Sequence, residues 1–524
     1  MAYNSDPLIL AIEISTTGCK VSVVSISGVI INTEFNKITL YYPITGGFEI
    51  NPEELWSTLT TTITAVISRS HFDHSQIVAI CCSSLCEGLI PVDSNGDALK
   101  NAVIWNDWQT DRDNYSIFKG WKSSAGIDFK KIQRWAKIHE GEAYPGAEEP
   151  AIQLLLFRDL YPDIFKQTHK FINILDYINC RLTGRLVSTP DSDLTEWIKD
   201  SRNLVYEVFS QDLMRDRGFN EEKANEIVPN TAVIGELRLE VAERINLPTG
   251  IKVVAGAMAV ITSAFGSGAI EDYQPFYYLG SSSWFAVHLP EPPRRKKVGI
   301  QVNPSVVPGK YLLSSNQPAA TANLNYLRDM VFFPGDELSG SVPPEDTFQI
   351  MDRMAAKALP GSNGLVYFPW LKGVNGQRSG YYPHAVIYNL SPQHTRSDIV
   401  RAVMEGVALN TRRLIEPIEN IIGKDFNRLN IAGGGGKSTI WCQIFADILN
   451  IPIRQVSDPG NVNARGAALI AAVGLGYLSY EDASRVIQYQ TVFSPREENR
   501  ILSDHMYKDF ISIHRKVIDR YPKK

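Results

Sequence analysis

The sequence predicts an α/β protein of two similar lobes with a ligand cleft between them. Three observations lead there. Near the N-terminus, a strand-like run, a hydroxyl-rich turn and two further strand-like runs follow one another. The same order recurs about half a chain later. A third stretch, Leu429-Asn430-Ile431-Ala432, runs into four consecutive glycines and then a helical pattern. A duplicated unit of this kind implies paired lobes, and ligands favour the space between such lobes.

The first unit opens with Leu8-Ile9-Leu10-Ala11-Ile12-Glu13-Ile14, an apolar run that reads as a buried strand. Ser15-Thr16-Thr17-Gly18 makes the turn, residues 19–26 a second strand, and Val29-Ile30-Ile31-Asn32 starts a third. Tight turns between them make a meander. Residues 52–70 have helical spacing (Leu55, Leu59, Ile63, Val66, Ile67), and residues 77–82 form another buried strand. In the second unit, residues 274–279 lead through Gly280-Ser281-Ser282-Ser283 into strands at 284–289 and 298–302. Both turns offer backbone N–H groups and hydroxyls of the kind that receive phosphate, although a plain hairpin turn has the same composition.

Between the units, residues 150–250 read as largely helical, with amphipathic patterns at 162–165, 176–182 and 240–245. Leu247-Pro248-Thr249-Gly250 breaks the chain and places a lobe boundary between residues 1–252 and 253–524. Val253-Val254-Ala255-Gly256 reads as a strand ending in a turn, and small residues follow it as a helix. Strand ends that feed helices commonly carry reactive groups in α/β enzymes. Ala257, Met258, Ala259 and Val260 carry no acid, base or nucleophile.

Further on, Thr395 caps a long helix with apolar Ile399, Val403, Val407 and Leu414. The strand at 429–432, the turn Gly433-Gly434-Gly435-Gly436-Lys437-Ser438 and a helix at 440–449 allow backbone to approach a ligand closely. This is not a Walker A loop, which would need glycine where Ile431 stands.

Composition excludes several classes. The chain has 524 residues, 44% hydrophobic and 21% charged, which is ordinary for a globular protein of two to four domains. A net charge of −5 argues against a nucleic-acid-binding surface. No apolar run reaches the ~18 residues of a membrane span, and the polar N-terminus shows no secretory signal. The six cysteines make no metal spacing with histidines. Reduced thiols in a cytoplasmic protein are expected.

The whole chain resembles the FGGY family of carbohydrate kinases, with xylulokinase-like members most similar. The resemblance rests on Ile431 to Ser438 with Trp441, Gln443, Asp447 and Pro452, and on the segment at 458–468. Phe368-Pro369-Trp370-Leu371-Lys372-Gly373 and the segment at 401–408 also carry it. It implies a two-lobed, actin-like ATPase fold of the ribonuclease-H type, in which ATP with Mg²⁺ meets a sugar or polyol. Under that resemblance Thr16, Thr17 and Lys20 belong to the first phosphate motif, and Gly280, Ser281 and Ser282 to the second. Gly434, Gly435, Gly436 and Ser438 belong to the adenosine segment, and Glu13 faces the metal. Glu87, Trp105 and Asp107 line the sugar pocket, and the loop at 119–146 contributes to specificity. The oligomeric state stays open, with a homodimer the commonest class.

Three positions depart from the family pattern. The family's proton acceptor, an Asp, aligns with Ala259. Glu13 replaces a shorter Asp, and Ser15 replaces a Gly. Loss of a general base removes ~10²–10⁴-fold in rate. Two readings follow: a kinase with weak or altered activity, or a non-catalytic nucleotide or sugar binder with a regulatory role. The departures at Glu13 and Ser15 favour natural divergence over a single engineered replacement at Ala259.

Overall fold

The computed structural model describes residues 6–43, 47–69, 72–85, 88–105, 157–158, 160–192, 221–293, 299–337, 342–373 and 384–520. Two sheets organise them. In the first half the elements are β1 (Leu8–Ser15), β2 (Gly18–Ser25), β3 (Ile30–Lys37), α1 (Pro52–Ser68), β4 (Ile77–Ser84), α2 (Ile174–Thr183), β5 (Val233–Glu236), β6 (Lys252–Met258) and α3 (Ala259–Gly266). The second half contains β7 (Pro275–Leu279), β8 (Ser283–Leu289), β9 (Gln301–Pro304), β10 (Tyr311–Gln317), α4 (Arg396–Ile422), β11 (Leu429–Ala432), α5 (Thr439–Leu449), β12 (Ile453–Val456), α6 (Val462–Gly474) and β13 (Tyr489–Phe493).

The first sheet runs β5-β6-β4-β1-β2-β3, and the second β9-β10-β8-β7-β11-β12-β13. All six strands of the first sheet have counterparts in the second, which adds β9 at its edge. β1 pairs antiparallel with β2 and parallel with β4, and β7 does the same with β8 and β11. β4 and β6 are parallel, as are β11 and β12. An antiparallel strand, β5 or β13, closes each set. The duplication read from the sequence is therefore a duplication of topology.

Two expectations change here. The third strand of the second meander is β10, which pairs with β8; the expected strand near 298–302 appears as β9 and pairs with the far side of β10. Ser314, Ser315 and Gln317 give β10 a polar look, yet all three are buried. The boundary at 252/253 passes through β6, which hydrogen-bonds into the first sheet, so that sheet runs past it and the second starts with β7.

Each sheet is buried on both faces, which is why its central strands read as near-continuous apolar runs. Leu8, Leu10, Ile12 and Ile14 of β1 pack with α1 and α2, while Ile9 and Ala11 face the other way. The latter join a core shared by both sheets, with Phe276, Ala286 and Ala432 from the second. Helices α3 and α6 fill that shared core, and α6 is rich in small residues (Ala464, Ala467, Ala468, Ala471). Each follows the equivalent strand of its own half, so they are counterparts.

Local signals set the helix ends. Asn51 accepts the Glu53 and Glu54 N–H groups ahead of α1. Thr395 and Asp398 form a capping box on α4, and Gly423, with φ 64°, ends it. The amphipathic patterns at 162–165, 176–182 and 240–245 appear as helices Pro162–Gln167, Ile174–Thr183 and Leu239–Arg244. Cys19, Cys81, Cys82, Cys180 and Cys442 are free and buried; Cys86 lies outside the described residues. No described helix is long and apolar enough to cross a membrane.

Candidate functional site

The β1–β2 hairpin places Glu13 directly across from Lys20. Their charged groups meet at 2.7 Å. Asn463, at the start of α6, donates from Nδ2 to Glu13 Oε1 at 3.2 Å, and Lys20 Nζ donates to the Gly460 carbonyl at 2.8 Å. The hairpin of the first half is thus held by the β12–α6 turn of the second. Thr16 and Thr17 stand exposed at its tip. Ser15 folds into the turn: its Oγ accepts the Thr17 N–H at 3.3 Å and lies 2.9 Å from Thr17 Oγ1. That contact occupies one N–H that the tip would otherwise present to an anion.

The second turn lies between β7 and β8. The Gly280 N–H donates to Ser282 O at 3.1 Å, and Ser281 and Ser282 are exposed. Tyr278 and Trp284 flank the turn as a stacked pair, centroids 4.1 Å apart. Trp284 Nε1 donates to Ser263 Oγ of α3 at 3.0 Å. Burial raises the Tyr278 phenol, with nearby Glu13 adding to the shift and a hydrogen bond to Asn463 opposing it.

The glycine segment packs against this turn. A Cβ on Gly435 would stand 2.6 Å from Leu279 Cγ, and Gly433, at φ 92°, donates its N–H to Pro459 O at 2.7 Å. Gly436 is buried, whereas Gly434 is exposed and a Cβ there would meet nothing within 4 Å. The Ser438 hydroxyl works inside the protein: it accepts the Trp441 N–H at 3.1 Å, capping α5, and donates to Asp352 Oδ1 at 2.7 Å. Lys437 lies along the next turn, where a Cβ on Gly460 would come 2.7 Å from its Cε.

Ala259 opens α3 immediately after β6. Gly256, at φ 77°, lets this turn pass against β4, because a Cβ there would fall 2.1 Å from the Cys82 carbonyl oxygen. The Ala259 side chain is a methyl group, but a carboxylate stands beside it. Asp191 Oδ2 accepts the Met258 N–H at 2.6 Å, and Oδ1 accepts from Thr189 Oγ1 at 2.8 Å and Asn230 Nδ2 at 2.6 Å. Burial raises the Asp191 carboxyl above its ordinary value, with the Met258 N–H bond opposing the shift.

A polar thread crosses the centre. Ser83 and Thr262 hydroxyls lie 2.7 Å apart, and Thr262 Oγ1 donates to Asn463 Oδ1 at 3.3 Å. Asn463 then reaches Glu13 and so Lys20.

The structure therefore gathers Glu13, Thr16, Thr17 and Lys20 on one hairpin, linked through Gly460 and Lys437 to the glycine segment, and through Leu279 to Gly280, Ser281 and Ser282. Glu87, Asp107 and the loop at 119–146 lie outside the described residues, as does the Trp105 side chain. Asn463, Thr262, Ser83 and Asp191 had no assigned role from sequence. Asn463 carried a signal by falling within the 458–468 segment, and Ser83 by opening the 83–88 stretch that the resemblance places at the pocket.

Among the described residues no three His, Cys, Asp or Glu side chains gather as a metal cage. Glu13 is a single carboxylate already paired with Lys20. That donor set does not make a resident metal site; Mg²⁺ typically keeps several waters and is held by one or two carboxylates together with substrate phosphates.

Comparison with known proteins agrees with this architecture. The profile of the FGGY family of carbohydrate kinases, N-terminal domain, matches residues 8–266, and that of the C-terminal domain matches residues 276–475. A xylulose kinase of Staphylococcus epidermidis is 24% identical, covering 97% of this chain and 96% of its own. An autoinducer-2 kinase of an Enterobacter species is also 24% identical, covering 90% and 87%. The crystal structure of ligand-bound xylulose kinase from Lactobacillus acidophilus superposes with a TM-score of 0.80 at 20% identity, covering 98% of this chain and 99% of that one. Plasmodium falciparum glycerol kinase with ADP gives 0.77 at 17% identity, covering 97% and 98%. The fold is the two-lobed, actin-like one, and the chain belongs to the FGGY family of carbohydrate kinases.

Proposed function

We propose that the protein transfers the γ-phosphoryl group of MgATP to a hydroxyl of a small sugar, such as a pentulose, or of a polyol. The observation that carries this reading is the junction of the hairpin bearing Lys20 with the Gly460 turn, beside the glycine segment. Phosphoryl transfer needs positioning and charge neutralisation above all. Thr16, Thr17, Lys20, Gly280, Ser281 and Ser282 would hold the phosphates. Gly434, Gly435, Gly436 and the Ser438 turn would take the adenosine, while Glu87, Trp105 and Asp107 would take the sugar. Mg²⁺ would enter with the nucleotide, and the family resemblance assigns Glu13 to its surroundings. Relatives named xylulose kinase and autoinducer-2 kinase support a small hydroxylated acceptor. Free buried cysteines fit a cytoplasmic setting. A homodimer is the proposed assembly, and sedimentation would test it.

The test is phosphate transfer from MgATP to a panel of ketoses and polyols, by the chain and by Ala259→Asp. Product with either supports kinase chemistry in this cleft, and no product with both overturns it. A second reading, a non-catalytic nucleotide or sugar binder, is favoured by the methyl group at Ala259. It expects ATP or a sugar to raise the melting temperature with no product formed.

A further inference from the structure

We propose that Asp191 is the proton acceptor for the reacting hydroxyl, doing from a neighbouring segment what the Ala259 side chain lacks. This rests on the kinase reading above.

Position comes first. Asp191 Oδ2 lies 2.6 Å from the backbone nitrogen of Met258, the residue before Ala259. Met258 ends β6 beside Ser84 of β4, and Leu85 donates its N–H to Ile14 O of β1. The carboxylate therefore sits at the carboxyl ends of the parallel strands, where open α/β sheets bind ligands.

Orientation comes second. Oδ1 has two donors, Thr189 Oγ1 and Asn230 Nδ2. Oδ2 accepts the Met258 N–H, and each oxygen of an ionised carboxylate carries two lone pairs, the second of which can take a further proton. Asn230 also donates to Gly256 O at 2.9 Å, tying the carboxylate to the β6 turn. A base held by packing and hydrogen bonds is pre-positioned for transfer.

Access comes third. Asp191 is partly exposed, while Ser188, Thr189 and Ser192 around it are buried. Among the described residues, Glu13 faces Lys20, and Asp176 accepts from Ser188 and Ser192 in the interior. Desolvation makes Asp191 more basic than an ordinary carboxylate, which suits the task.

The step balances simply. The acceptor hydroxyl oxygen forms a bond to the γ-phosphorus, and the bond from that phosphorus to the β–γ bridging oxygen breaks. ADP leaves with the electron pair, and the hydroxyl proton passes to Asp191 Oδ2.

The experiment compares the parent, Asp191→Asn, Asp191→Ser, Ala259→Asp and the double variant Asp191→Asn/Ala259→Asp. Each is melted first and then assayed on the acceptor panel with MgATP. The expected result is a fall in kcat of ~10²–10⁴-fold for the folded Asp191 variants, with acceptor KM changed only a few-fold, and recovery in the double variant. A merely structural role predicts neither the kcat-only loss nor the rescue. If the parent turns over and a folded Asp191 variant stays within about threefold of it, the proposal falls and the kinase reading stands. The same holds if only Ala259→Asp is active, or if neither Asp191 variant folds while the parent is active. If parent and Ala259→Asp are both inactive, the kinase reading falls and this proposal with it.

Discussion

Gly266 of α3 and Gly466 of α6 lie against each other: a Cβ on Gly266 would stand 2.7 Å from the Gly466 nitrogen. A Cβ on Gly466 would stand 1.9 Å from Thr262 O. The counterpart helices of the two halves therefore cross with backbone touching backbone. Nothing flexible can yield at this contact. Gly466→Ala should destabilise the protein by about 3 kcal/mol, the upper part of the range for overpacking. Urea unfolding followed by fluorescence checks it, and a midpoint equal to the parent's would contradict the crossing.

Lys20 has two tasks, and they separate. Lys20→Met leaves Glu13, only 9% exposed, without its cation. Stability should drop by about 3 kcal/mol, the low end for breaking a buried pair. Turnover should fall ~10²–10³-fold if Lys20 also stabilises the phosphates. The double variant Glu13→Gln/Lys20→Met should regain stability and not turnover. Denaturation and kinetics on the same preparations check both, and recovery of both together would reduce Lys20 to a structural role.

The sequence made local chemistry legible. The hydroxyl turns at 15–18 and 280–283, and the strand–glycine–helix stretch at 429–449, each announce themselves within a few residues. β10 was hidden because its Ser314, Ser315 and Gln317 look exposed; burial is tolerated because, for example, Ser315 Oγ donates to Gly299 O at 3.0 Å. The boundary at 252/253 followed the Pro248–Gly250 break, a real local feature, but strand pairing across the chain overrode it. Asp191 was invisible for the same reason. It meets Met258 from 67 residues away, and Asn230 from 39. No periodicity reports a contact of that kind.

His288 gives a pH signature of the second lobe. It is 3% exposed, its Nδ1 2.6 Å from Ala269 O and its Nε2 2.8 Å from Ser305 Oγ. Burial pushes its pKa down from 6.5 to about 4. The folded state therefore disfavours the proton that the unfolded state takes up near 6.5. The stabilisation is complete above that value and is lost as pH falls towards about 4. It amounts to on the order of 3 kcal/mol. His514, lowered to about 4 chiefly by burial, titrates in the same window. His288→Gln should make the decline in melting temperature between pH 7 and 4.5 shallower without removing it. An unchanged slope would show that His288 does not titrate on unfolding.

Gly434 separates folding from nucleotide binding. Its neighbours Gly433 and Gly435 are hemmed in by Leu279, but a Cβ at Gly434 meets no protein atom within 4 Å. Gly434→Leu should cost at most about 1 kcal/mol of stability, since it gains helix propensity and exposes one apolar side chain. A nucleotide seated on the glycine segment would have to share that space. The variant should therefore lose most of the ATP-induced rise in melting temperature, corresponding to a Kd at least tenfold weaker, while any sugar-induced rise persists. If the ATP shift survives intact in a folded Gly434→Leu protein, the adenosine does not sit on this segment.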